Sequence, residues 1–163
     1  MIIRPARNTD APDMTALLNE IIGIGGSTAH ETPFDQAKML AHYIACPNLI
    51  SCQVAEESDQ VRGFQWLGWA TDEDAPVPSD WGIIASFVAP NAAGKGIGQQ
   101  LFSATQEAAR AAGAVAIDAT IRADNVAGLR YYTGLGFRDY DRLIDIPLSD
   151  GTKVDRIRKR YDL

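Results

Sequence analysis

Gly94, Gly96 and Gly98 stand at alternate positions, with Lys95 between the first two and the apolar run 81–89 just before them. Glycine lets a backbone turn sharply and approach a ligand without side-chain collision. The helix predicted to follow points its unpaired first N–H groups and positive dipole end at the same turn. Lys95 adds a cation. This chemistry suits a phosphate or pyrophosphate on the amides from Gly94 through Lys95, Gly96 and Ile97 to Gly98. The plainer reading is a glycine turn that only joins a strand to a helix. No GxxxxGK[ST] is present, so the turn is not a P-loop. The GxGxG lies mid-chain without an opening βαβ unit, so it is a poor dinucleotide fingerprint.

A second group lies downstream: Asn125, Gly128, Tyr132, Gly136 and Phe137, within NVAGLRYYTGLGF. Together the two segments resemble the GNAT acetyltransferase superfamily. Its members carry a strand leading into [Q/R]xxGxG/A, then a helix, a strand and an Nxx[A/G]xxxYxxxGF segment. The second pattern is complete here. The first holds at Gly96 and Gly98, with Ala93 where Gln or Arg is usual; a side-chain contact is lost and the amides remain. The N-terminal half, residues 27–33 included, looks more loosely like the phosphinothricin-acetyltransferase-like branch. The element order fits along the whole chain.

That resemblance implies acetyl-CoA as co-substrate, no metal, and transfer of acetyl to the amine of a small molecule, an amino acid or related amine, by direct attack. It also implies a homodimer as a family-level expectation. The pantetheine arm, which behaves like an extra strand, is expected at Phe87 and Val88, where Pro90 interrupts pairing. Asn125 is expected to hydrogen-bond the arm from the other side. Val88 N–H is the expected oxyanion donor, and Tyr132 the family's usual proton donor to the leaving thiolate. The plainer reading of Tyr132 is a core aromatic, and Tyr131 is read as its structural neighbour.

The base is harder to place. Family members often carry a Glu on the strand before the glycine turn, but residues 81–87 contain no carboxylate. Glu31 is the first choice, because the loop between the first two helices commonly borders the acceptor site in this family. His30, Asp80 and a water held by Ser86 are the alternatives. The absent strand carboxylate and Ala93 keep a second class open: a non-catalytic acyl-CoA-binding or regulatory module on the same fold. A nucleotide-binding protein lacks both of its fingerprints.

The elements that must position these residues follow from periodicity. Ile2 to Ala6 reads as a strand. Thr9 or Asp10 can cap a helix with Met14, Leu17, Leu18, Ile21 and Ile22 on one stripe, stopped by Gly23, Gly25 and Gly26. Thr32 before Pro33 is the predicted cap of a second helix burying Met39, Leu40, Tyr43 and Ile44. Ile50, Cys52 and Val54 alternate as a strand; residues 61–70 pair back on it across a polar turn. Residues 71–80 form an acidic loop suited to drawing in a cationic acceptor. Residues 81–89 are apolar on both faces, as a central strand should be. Ile97, Leu101, Ala104, Ala108 and Ala112 give the next helix its inner stripe. Val115, Ile117, Ala119 and Ile121 alternate, a short helix follows Asn125, and residues 137–146 and 153–161 form a hairpin turned at Asp150-Gly151. The basic run 156–160 reads as the solvated face of a strand. Trp66, Trp69 and Trp81 are candidates to line an acceptor pocket. The fold class is α/β: a mixed, mostly antiparallel sheet flanked by helices.

Composition excludes several classes. The chain has 163 residues, 46% hydrophobic and 22% charged, which suits one domain over residues 1–163 with an ordinary core. Net charge is −6, against a general nucleic-acid surface. No apolar run approaches the roughly 18 residues of a membrane span, and the first residues lack a signal-peptide layout. The expected location is the cytoplasm. Cys46, Cys52, His30 and His42 make no metal-ligand pattern.

Overall fold

The computed structural model describes residues 1–71 and 76–163. Part of the acidic loop expected at 71–80 lies outside the described residues. The first half supplies β1 (Ile2–Pro5), α1 (Ala11–Ile24), α2 (Gln36–Met39, continued by a π-turn over Leu40–Ile44), β2 (Leu49–Glu57), β3 (Gln60–Trp69) and β4 (Trp81–Val88). The second half supplies α3 (Ile97–Ala111), β5 (Ala116–Arg122), α4 (Val126–Leu135), β6 (Arg138–Pro147) and β7 (Lys153–Asp162). All seven strands join one sheet in the order β1-β2-β3-β4-β5-β7-β6. Only β4 and β5 run parallel; every other pair is antiparallel. This is the mixed, mostly antiparallel sheet expected from the sequence.

Local chemistry accounts for most boundaries. The β2–β3 hairpin turns through Ser58 and Asp59, with φ of +52° and +60°, the two left-handed residues of a primed turn. Met14, Leu17, Leu18 and Ile21 bury one stripe of α1, and Gly25 ends it at φ +81°. Asp10 precedes α1 but does not cap it. Its carboxylate accepts from Arg7 N (2.7 Å) and from both terminal nitrogens of Arg4 (2.8 Å each). That contact with the Arg4 guanidinium holds the Asp10 carboxyl below the usual range. The second helix starts later than Thr32 and Pro33 suggest. Asp35 is its N-cap, accepting from Lys38 N at 2.7 Å; its carboxylate out-competes the Thr32 hydroxyl for the first turn's donors.

Two corrections concern burial. In α3 the inner stripe is Ile97, Leu101, Phe102, Thr105 and Ala109, not the alanines 104, 108 and 112. Phe102 carries far more apolar area than an alanine and rotates the helix to bury itself, against Phe137 and Tyr161. The basic run on β7 is not a solvated face either. Arg158 and Lys159 are 4% and 6% exposed. Lys159 reaches Thr133 Oγ1 (3.0 Å) and Asp139. Arg158 stands 3.5 Å from buried Asp118, over the Tyr140 ring, and donates to Pro76 O at 3.1 Å.

Burial pushes the Asp118 carboxyl up, while the hydroxyls of Tyr140 and Thr120 and the Arg158 charge pull it back. Arg158→Met should therefore leave a carboxylate buried without its cation. Breaking a buried pair costs about 3–5 kcal/mol, and the 3.5 Å separation puts this one near 3. The Asp118 pKa then rises further in the folded state, so the loss grows with rising pH and shrinks as acid protonates the carboxyl. Urea unfolding of both proteins at neutral and mildly acidic pH measures it; an equal loss at both would remove Asp118 from the account.

Candidate active site

The parallel pair at the sheet's centre does not run its full length. β4 and β5 pair only at Trp81↔Ala116, Gly82↔Ile117 and Ile83↔Asp118. Beyond Ile83 the strands diverge, so the opening begins well before Pro90. A cleft of about 190 Å³ lies in the gap. β4 lines it from Ile84 to Phe87, β5 from Thr120 to Arg122, and Asn125, Gly128, Tyr131 and Tyr132 close one side. Residues 27–30, after α1, close another.

Alternation along β4 decides which backbone groups face the gap. Gly63 pairs with Val88, and Ala89 N donates to Arg62 O at 2.9 Å. Phe87 therefore directs its N–H and C=O toward β3, whereas Val88 and Ser86 direct theirs toward the gap. Phe87 contributes its ring, packed against Tyr43 and Phe64. Val88 contributes a free N–H, the group expected of an oxyanion donor.

Tyr132 is both core aromatic and cleft residue. It is 7% exposed and packs on Phe137. Its hydroxyl lies 2.7 Å from Ser86 Oγ at the cleft. Beneath it Gln65, fully buried, donates from Nε2 to Ser86 Oγ (2.8 Å) and to Tyr131 OH (3.0 Å). Tyr131 donates in turn to Gly98 O at 2.7 Å. Tyr131 is thus part of the cleft and ties α4 to the glycine turn, a role beyond structural neighbour. Burial raises the phenol pKa to about 12 in Tyr131 and higher in Tyr132, so both stay protonated throughout the physiological range. Gln65 carries no sequence signal of a site residue. Its place in an aromatic, strand-like run gave no hint of its partners.

The glycine turn has the predicted backbone. Gly94 and Gly96 sit at φ +78° and +76°, with open space where a Cβ would stand. Gly96 is the N-cap of α3, and Gln100 N is the first to reach an intrahelical partner, Gly96 O at 3.2 Å. The amides of Ile97, Gly98 and Gln99 at this end are left for another acceptor. Ala93 and Lys95 are exposed beside them. Gly98 has a different reason to be glycine. A Cβ there would lie 2.6 Å from the Tyr131 ring, so its smallness serves the α3–α4 contact. Asn125 caps α4, accepting from Gly128 N at 3.0 Å, and donates to Ser27 O at 3.3 Å.

The expected base is elsewhere. Glu31 does not line the cleft; it accepts from Ser149 N and Oγ at the β6–β7 turn, near enough to Arg122 to help raise that guanidinium's pKa. His30, its neighbour, does line the cleft. Its Nε2 is 2.5 Å from Tyr43 OH, and burial lowers its pKa to about 4. A neutral ring accepting from the tyrosine fits both facts. None of Trp66, Trp69 and Trp81 lines the cleft; Trp81 packs on Tyr140 and under Arg160 instead. Arg122 and Arg156 are cleft residues that sequence reading passed over.

A family model described as the acetyltransferase (GNAT) family matches residues 15–137. No curated protein sequence is similar enough to count as a match. Several solved structures share the fold. A ribosomal-protein-alanine N-acetyltransferase from Brucella melitensis is 24% identical, with TM-score 0.82 and full coverage of both chains. An N-acetyltransferase from Staphylococcus aureus Mu50 is 23% identical, with TM-score 0.80, covering 99% of this chain and 97% of its own. A phosphinothricin acetyltransferase from Sinorhizobium meliloti, in complex with acetyl-CoA, is 22% identical, with TM-score 0.83, covering 99% and 88%.

Proposed function

We propose, from the premise that this chain belongs to the acetyltransferase (GNAT) family, that it transfers the acetyl group of acetyl-CoA to the amine of a small molecule. One observation carries the reading: where β4 and β5 part, the Val88 N–H faces the gap and the Ser86 and Tyr132 side chains line the cleft within it, with the α3 start and its spare amides just beyond β4. The amides of Ile97, Gly98 and Gln99, with Lys95 nearby, suit the pyrophosphate. The gap-facing backbone of Ser86 and Val88 suits the amide-bearing pantetheine arm as a strand-like partner. Asn125 spends its side chain on the α4 cap and Ser27, so it shapes the wall rather than holding the arm.

The reaction joins the acceptor nitrogen to the acetyl carbon and breaks the bond from that carbon to sulfur. Val88 N–H donates to the thioester oxygen as negative charge grows there. Ser86 Oγ, already accepting from Gln65, donates to the Tyr132 oxygen. The Tyr132 proton is then free to go to the departing sulfur. A phenol with a raised pKa is a weak acid, but the dry site raises the proton affinity of a thiolate as well. The acceptor nitrogen loses its proton to water. His30, at about 4, is too weak a base for an alkylammonium near 10.4. Rate should therefore climb with pH as the free amine becomes available.

Titration calorimetry with acetyl-CoA, followed by thiol release over a panel of amines, tests the proposal. Binding with an acetylated amine identified by mass is the expected result. Binding without any product would leave the acyl-CoA-binding module as the reading.

A further inference from the structure

Arg122 and Arg156 stand directly opposite each other across the β5–β7 pair, and both line the cleft. Side chains so opposed have Cβ atoms about 4.5–5.5 Å apart, and like charges there destabilise the pair. Arg122 has a partner: Asp124 accepts from its Nε at 3.0 Å and from a terminal nitrogen at 2.8 Å. Among the described residues Arg156 has no carboxylate within ion-pair distance. The cation next along that face of β7, Arg158, is taken by Asp118. Among the described residues the cleft wall therefore carries a repelling pair in which Arg122 is answered by Asp124 and, at longer range, by Glu31, while Arg156 has no ion-pair partner.

Position tells which ligand this charge meets. On β5 and β7 the polar residues sharing a face with Arg122 and Arg156 are Asp118, Thr120, Arg158, Arg160 and Asp162. That face also holds Trp81, beneath Arg160. Ser86 and Tyr132 meet on the opposite face, under α3 and α4. The arginine pair thus lies across the sheet from the glycine turn and cannot serve the pyrophosphate. Facing it over the gap are Phe87 and the His30–Tyr43 pair. His30 itself stays neutral there, its pKa lowered to about 4 by burial first and then by the His42 and Lys38 charges.

We propose that the acceptor is an amine that carries a carboxylate, and that Arg156, with Arg122 beside it, receives that carboxylate and aims the amine into the β4–β5 gap. This rests on the acetyl-transfer reading above. It also reverses the expectation of a cationic acceptor drawn by the acidic 71–80 loop. A planar guanidinium suits a carboxylate because two parallel N–H groups match its two oxygens.

The test uses matched amines: phenylalanine with 2-phenylethylamine, leucine with 3-methylbutylamine, and methionine with 3-(methylthio)propylamine. Thiol release and acetylated product are measured for the whole chain and for Arg156→Gln. The wild type is expected to favour the carboxylate-bearing member, chiefly through KM. Arg156→Gln should cut that preference by roughly 10–100-fold, with Arg156→Lys restoring part of it. The Gln variant's melting temperature should hold or rise, because a repulsion has been removed. Preference for the decarboxylated amines, or for a peptide with a free N-terminus and amidated C-terminus, would overturn the proposal. So would a preference untouched by Arg156→Gln, or a fall in turnover of both members alike. Equal acetylation of both members sinks this inference alone; failure to acetylate any amine while acetyl-CoA binds sinks the acetyl-transfer reading beneath it.

Discussion

Tyr132→Phe is expected to lower turnover by roughly 10²–10⁴-fold, the usual contribution of a placed acid. The substitution keeps the ring that packs on Phe137 and removes only the hydroxyl 2.7 Å from Ser86. Acetyl-CoA affinity should change little, because the proton matters when charge develops on sulfur. Stability should fall by about 1 kcal/mol, the worth of one hydrogen bond. Since Tyr132 keeps its proton well above neutrality, the wild-type rate should show no alkaline decline below about pH 10. Turnover with a confirmed acceptor, acetyl-CoA affinity and melting temperature together decide. Unchanged turnover with lowered stability would make Tyr132 a core aromatic and nothing more.

Gly96→Arg should abolish measurable acetyl-CoA binding while leaving the fold intact. Gly96 sits at φ +76° as the N-cap of α3, with nothing within 4 Å of a built Cβ. A Cβ meets no protein atom there, so the structural cost begins with the left-handed backbone, about 1–2 kcal/mol. The arginine side chain would project where the spare amides of α3 look for their acceptor. If those amides hold the pyrophosphate, the added positive charge does not compensate for lost space. Gly96→Ala separates the two terms: it carries the same backbone strain with almost no bulk, and should retain most binding. Near-normal affinity in the arginine variant, by calorimetry, would make the turn a connector.

The parts of the fold that follow from short-range chemistry were legible: every strand, the helix after the glycine turn, and the Asp150-Gly151 hairpin. What escaped depended on competition or on long-range partners. Thr32 and Asp35 both offer a cap, and only the folded chain shows which carboxylate or hydroxyl reaches Lys38 N. The run 156–160 looks solvated until Asp118 and Asp139, far apart in sequence, are brought to it. Within the site, Tyr132 and the glycine turn stood out because their spacing is local. Ser86, Gln65 and Tyr131 form a relay across 66 residues of sequence, which no spacing rule reaches. Glu31 and His30 occupy adjacent positions but part company: one accepts from Ser149 of the β6–β7 turn and the other lines the cleft.

The divergence of β4 from β5 has a mechanical consequence. Among the described residues, three residue pairs, extended at one end by Val115 N–H to Asp80 O at 3.0 Å, join the four strands of the first half to the three of the second within the sheet. The sheet behaves as two panels joined along a short seam at one end. An arm laid into the open end would supply donors and acceptors to both panels and extend that seam. Amides at the gap, those of Ser86 and Val88 first, should then exchange with solvent more slowly in the loaded protein, and the two panels should unfold together rather than apart. On this view the thioester's carrier is a missing length of the sheet, present only while the enzyme is charged.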